Sequence, residues 1–175
     1  MLRLTLLRRL KIGKIKADKK QAKKVINDTD KVEVEDEASS KSKTKSKVDN
    51  KRHIVLLAKN QQGLNNIYKI VSDSHRGDNF YRKPRLDYDM LEKYGDGIVA
   101  SSACLGGVYA GDYWDNYEDG EEAVLDAMRE TTRRMMDCLG DRWFGELQWN
   151  NVPSQHTLNK YVIKMHEEFG INLIS

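Results

Sequence analysis

Two cysteines, Cys104 and Cys138, stand far apart in the sequence. They form neither a disulfide framework nor a paired zinc knuckle. Such sparing use of cysteine points to a reducing, cytoplasmic compartment. No run of about eighteen apolar residues occurs, which excludes a membrane-spanning helix. The opening MLRLTLLRRLKIGKIK is basic and leucine-rich. It lacks both an uninterrupted apolar core and a small-residue cleavage site, which argues against a secretory signal. No stretch of the sequence repeats, so a solenoid is not expected.

The 175 residues suffice for one domain and a tail. With 39% apolar and 33% charged residues and a mean hydropathy of -0.73, the chain is polar for a globular protein. Part of it is therefore expected to stay unpacked. The net charge of +3 conceals an asymmetry. Residues 1–52 hold 17 Lys/Arg and 8 Asp/Glu, a net of +9, which leaves residues 53–175 at -6. The basic character belongs to the N-terminal third and does not mark the whole domain as a nucleic-acid binder.

This asymmetry suggests three regions. Residues 1–34 read as a basic, partly disordered extension. Within residues 1–26, Leu2, Leu6, Leu7 and Leu10 recur at helical spacing and predict a solvated basic helix. Residues 35–52, EDEASSKSKTKSKVDNKR, read as a charged flexible loop, too polar to offset its chain entropy. Residues 53–175 form the domain proper. HIVLLA, GIVASSA, RWFGELQW and INLIS predict buried strands near 53–58, 97–102, 143–148 and 171–174. Between them lie predicted helices. One is capped by Asn60, with Leu64, Ile67, Tyr68 and Val71 on its inner face. After a turn through Lys83 and Pro84, a short helix is capped by Asp87 and stopped by Gly95. A long helix covers 117–139, with Val124, Leu125, Met128, Met135 and Leu139 facing inward. A last helix starts at Pro153, lines one face with Leu158, Tyr161, Val162, Met165 and Phe169, and ends at Gly170. Strand alternating with helix predicts an α/β fold with parallel strands and chemistry at the strand ends.

His53 opens the first strand, and Cys104 follows the second at a glycine-rich loop. Imidazole and thiolate both bind zinc, but a complete site needs three or four ligands. Taken singly, the cysteine reads as a small buried hydrophobe and the histidine as hydrogen-bonded structure. His75, His156 and His166 read as solvated or capping residues, Cys138 as core, and Glu146 as a buried, hydrogen-bonded carboxylate. Trp143 and Trp149 are expected to pack on helices, and Arg82, Lys83 and Arg85 to form a solvated basic turn.

The ordered set HIVLLAKNQQGLNNIYKIVSDSH, YRKPRLD, GIVASSACLGG, DRWFGELQ and FGINLIS resembles the PHP (polymerase and histidinol phosphatase) domain of bacterial DNA polymerase III alpha subunits, over about residues 51–175. The resemblance implies a partial distorted β/α barrel of the PHP type. It makes His53 and Cys104 metal ligands, with Zn or Mn in the intact domain and Mg serving the parent polymerase. It implies a DNA-directed DNA polymerase, a nucleotidyltransferase of DNA replication, in which the PHP domain can carry 3'-5' exonuclease or phosphoesterase activity. The implied partners are DNA, the rest of the alpha subunit and the proofreading exonuclease subunit. The family's N-terminal His-x-His is missing, and its later Asp-x-His is not reached, so the chain reads as an interior fragment, inactive alone. Glu33 is a candidate for the family's glutamate ligand. Two other readings are a stand-alone PHP phosphoesterase and a non-catalytic PHP remnant acting as a binding module.

Overall fold

In the computed structural model, which describes residues 2–7, 51–81 and 83–175, the run containing HIVLLA becomes strand β2 (Lys51–Ala58). Successive side chains on a strand point to opposite faces. Ile54 and Leu56 on one face are fully buried, and Val55 on the other is nearly so. Each such burial contributes about 1.5–3 kcal/mol. Around it lie β1 (Leu2–Leu7), β3 (Phe80–Tyr81), β4 (Lys83–Leu86), β5 (Ile98–Ser101), β6 (Trp143–Glu146) and β7 (Asn172–Ile174). They form one sheet in the order β3-β4-β1-β2-β5-β6-β7.

The sheet is mixed. β6 pairs parallel with both β5 and β7, as the strand–helix alternation predicts, and β1 pairs parallel with β4. β2 instead runs antiparallel to β1 and to β5, and β3 runs antiparallel to β4. This overturns the expected parallel pairing of the strands near 53–58 and 97–102. The connection between β2 and β5 is not a single crossover helix. It holds α1 (Gln61–Ser74), the β3–β4 pair and α2 (Tyr88–Tyr94), and this longer path brings the chain back in the reverse direction.

The N-terminus gives a second correction. Leu2–Leu7 is a strand and not a helix, with Leu4 opposite Ile54 and Thr5 opposite His53. Lys51 and Arg52, expected in the flexible loop, already belong to β2. The rest of the basic extension and of that loop, residues 8–50, lies outside the described residues. Lys83–Leu86 is a strand where a turn was expected. Arg85 in it donates to the carbonyls of Asn79, at 3.1 Å, and Asp78. Arg82 is outside the described residues.

Most helix signals agree with the structure. The Asn60 side chain accepts from Gly63 N–H at 2.8 Å, and Asp87 accepts from Met90 N–H at 3.0 Å, so both predicted caps start their helices. Two differences follow Cys104. A helix that was not expected, α3 (Val108–Asn116), precedes a 3-10 turn at Tyr117–Asp119. The long helix α4 (Glu121–Leu139) therefore starts later than position 117. α5 (Pro153–Phe169) has Pro153 in its first turn and ends at Gly170, whose φ of 67° is left-handed. Tyr68 is 60% exposed and Trp149 77% exposed, so neither packs inward as expected. In α1 the buried apolar side chains are Ile67 and Ile70, beside the buried Gly63, Asn66 and Ser74.

The helices bury Met128, Met135, Trp143 and Met165 completely against the sheet. A chain of hydrogen bonds crosses this core. Trp143 Nε1–H donates to Tyr109 OH at 2.9 Å, that hydroxyl lies 2.8 Å from Thr132 Oγ1, and Thr132 Oγ1–H donates to Met128 O at 2.7 Å. Burial pushes the Tyr109 phenol well above its ordinary range. Outside the core, Arg129 on α4 donates to Glu168 on α5 at 2.8 and 2.9 Å, and also to Asp126 at 2.8 Å and Glu122 at 2.5 Å. One backbone approach needs glycine. A Cβ built on Gly63 would lie 1.8 Å from Gly97 O, so α1 can lie against the entry to β5 only without a side chain there.

Candidate metal centre

Because β2 and β5 are antiparallel, the start of one strand and the end of the other share one end of the sheet. His53 occupies the first place, and the turn carrying Cys104 grows from the second. His53 N–H donates to Gly106 O at 2.9 Å, and residue 53 forms an isolated parallel bridge with Gly107. The turn is closed by Gly107 N–H to Cys104 O at 2.6 Å and Val108 N–H to Ser102 O at 3.1 Å. β6 holds its other side, through Ser102 N–H to Phe144 O at 3.0 Å and Glu146 N–H to Ser102 Oγ at 2.9 Å. Ala103 adopts a left-handed φ of 59° within it.

The result is a meeting of the two candidate ligands. His53 Nδ1 lies 4.0 Å from Cys104 Sγ, and both residues are half-buried. Zinc bonds of about 2.3 Å to sulfur and about 2.0–2.1 Å to nitrogen put two ligands of one tetrahedral ion about 3.5 Å apart. The observed separation is close to that. Gly106 keeps the adjoining space open, since a Cβ there would lie 3.2 Å from His53 Nδ1 and 4.0 Å from Cys104 Sγ. Among the described residues, no group of three or more His, Cys, Asp or Glu side chains is placed to hold a metal ion. The pair fits half of a zinc-type site. Glu33 lies outside the described residues.

The remaining candidates sit elsewhere. Cys138 Sγ faces Tyr88 O at 3.8 Å, and burial raises its thiol pKa, as for a packed cysteine. His75 Nδ1 bonds Val71 O at 2.8 Å, and its ring stacks on Phe80. His166 Nδ1 bonds Ile171 O at 2.7 Å, and His156 is exposed on α5. Glu146 is a half-buried, hydrogen-bonded carboxylate. It accepts from Ser101 Oγ–H at 2.6 Å and Gln148 Nε2–H at 2.7 Å. The sequence had not brought Ser101 or Gln148 into this group. They line a groove of about 450 Å³ on the sheet face away from the helices, with Leu57, Val99, Phe144, Trp149 and Ile174 around them.

A family model described as PHP domain matches residues 15–149. The chain belongs to the PHP domain family. Individual proteins are also similar to the chain. The chain is 36% identical over 138 residues to a DNA polymerase III subunit alpha of Aquifex aeolicus, covering 76% of this chain and 11% of that protein. It is 34% identical over 122 residues to the subunit of the same name from Borreliella burgdorferi, covering 69% of this chain and 10% of that protein. It is also 42% identical over 69 residues to a DNA polymerase III PolC-type of Clostridium perfringens, covering 39% of this chain and 5% of that protein. The chain thus spans about a tenth of the length of the first two relatives.

Proposed function

We propose that the chain is part of a DNA polymerase III alpha subunit and supplies His53 and Cys104 to its PHP metal site. One observation carries this reading. Two metal-capable side chains 51 positions apart meet at 4.0 Å, on a turn held by hydrogen bonds from two strands. The names of the relatives support the polymerase context. In that reading the mixed sheet and its helices are part of a distorted β/α barrel. The whole protein is a cytoplasmic DNA-directed DNA polymerase that uses Mg on DNA. The rest of the alpha subunit and the proofreading exonuclease subunit are its partners. Zn or Mn in a completed PHP site would lower the pKa of bound water, the chemistry of 3'-5' exonuclease or phosphoesterase action. His53 and Cys104 would hold the ion, and the Gly106 gap would leave room for it.

A second reading is a non-catalytic PHP remnant. The two-ligand count among the described residues favours it for this chain taken alone. A stand-alone phosphoesterase has less support, because the relatives named above are polymerases.

The test replaces the matching stretch of the Aquifex aeolicus subunit with this chain. The expected chimera extends primers and takes up zinc in a way that His53→Ala and Cys104→Ser abolish. A chimera that folds and polymerises, yet takes up zinc equally with and without those substitutions, would leave the remnant reading standing. A chimera that folds but cannot extend primers would remove the polymerase reading.

A further inference from the structure

The metal-centre turn is overhung by aromatic side chains that the site does not use. Trp114 on α3 donates its Nε1–H to Leu105 O, one residue past Cys104, at 3.1 Å. Its ring meets Tyr113 at 4.7 Å and Tyr117 at 6.0 Å between centroids, and Tyr113 in turn meets Tyr161 of α5 at 6.2 Å. Neighbouring rings therefore brace the cluster, yet Trp114 remains 43% and Tyr117 50% exposed. Two wide aromatic surfaces, held rigid and left open to water, have the make-up of an interface anchor.

Charge selects the occupant. Residues 111–122, GDYWDNYEDGEE, contain six acidic residues and no Lys or Arg. Asp115 is engaged by Arg52 at 2.7 Å, Glu122 by Arg129 at 2.5 Å, and Glu121 by Lys164. Glu118 and Asp119 have no basic partner among the described residues, and both are exposed beside Tyr117. A nucleobase could stack on Trp114, but its phosphates would face these carboxylates, and single-strand binders use basic grooves. The molecule also shows the kind of contact such a surface favours. Lys164 Nζ lies 5.8 Å from the Tyr161 ring centroid while paired with Glu121, so one ammonium serves an aromatic face and a carboxylate together.

We propose that Trp114, Tyr117, Glu118 and Asp119 form a docking surface for a basic segment of a partner protein. An arginine of that segment stacks on the Trp114 ring, and neighbouring cations meet Glu118 and Asp119. This proposal stands independently of the metal site.

The experiment uses the full chain and three labelled probes, read by fluorescence anisotropy at low and at high salt. They are a short peptide alternating Arg with Leu, a peptide of residues 8–24 of this chain, and an oligothymidylate. The Arg–Leu peptide is expected to bind and to weaken with salt. Its affinity should fall about fivefold to tenfold in Trp114→Ala and by a similar factor in Glu118→Lys/Asp119→Lys. The charge-reversal variant alters only exposed side chains, so it keeps the proposal testable if Trp114→Ala does not fold. Binding of the Arg–Leu peptide that is absent, or unchanged in both variants, overturns the proposal. Tighter binding of oligothymidylate than of either peptide would make the surface a nucleic-acid platform and would also overturn it. Tighter binding of the 8–24 peptide than of the Arg–Leu peptide would replace the partner protein with a second copy of this chain.

Discussion

His53 Nδ1 and Cys104 Sγ lie 4.0 Å apart because β2 enters the sheet where β5 leaves it. In a parallel pair, the start of one strand and the end of the other would stand at opposite ends of the sheet. The antiparallel pairing brings the imidazole and thiol together.

The first prediction concerns this pair. Cys104→Ser should weaken Co²⁺ or Zn²⁺ binding by at least about tenfold, and the sulfur-to-cobalt charge-transfer band should vanish with it. Cys138→Ser should leave both unchanged, because Cys138 sits beside Tyr88 O. Equal losses in the two variants would reduce Cys104 to a packed thiol.

Gly106→Ala tests the space rather than the ligands. The added methyl would lie 3.2 Å from His53 Nδ1, against the ring atom that faces Cys104. Unfolding by urea should change little, since Gly106 is exposed, while metal affinity falls. Unchanged affinity in the folded variant would show that a bound ion does not need that gap.

In the core, Tyr109→Phe removes the hydroxyl that accepts from Trp143 and bonds Thr132. The indole N–H is then left buried without its partner, at a cost of about 1–3 kcal/mol. A urea midpoint within error of the parent would mean that the hydrogen-bond chain contributes nothing net.

Acid sensitivity should trace to α4 and α5. The hydrogen bond from Arg129 holds the Glu168 carboxyl below its ordinary value. A carboxyl depressed in the folded state adds stability above its unfolded pKa, and that stability is lost as pH falls through the folded value. Parent and Arg129→Met should therefore differ most near neutral pH and converge below about pH 3. Urea melts at both pH values check this, and a gap that persists in acid would assign the effect to packing by the arginine stem.

How far the sequence disclosed this molecule depends on which force set each feature. Helix ends at Asn60, Asp87, Pro153 and Gly170 were legible because caps and breakers act within a few residues. β1 was misread because two periods overlap in LRLTLL. Leu2 and Leu6 fit a helix, while Leu2, Leu4 and Leu6 fit a strand, and pairing with β2 decides for the strand. α3 was missed because VYAGDYWDN mixes glycine and aspartate with aromatics and has little helical propensity of its own. Strand direction at β2 was not legible, since no local signal tells an antiparallel return from a parallel one. His53 and Cys104 were found through their chemistry, and their contact needed the fold. Ser101 and Gln148 gave no signal until β5 and β6 set them beside Glu146.

The groove on the sheet face away from the helices also bears on how the protein behaves in concentrated solution. Leu57, Phe144 and Ile174 present a greasy surface, a natural starting point for clumping. The described sheet nevertheless ends in strands of two and three residues, β3 and β7, which give an incoming strand little to template on. The Glu146 carboxylate amid those apolar side chains acts as a gatekeeper charge. Aggregates of this chain should therefore grow by face-to-face sticking that mild detergent reverses, and not as ordered fibrils.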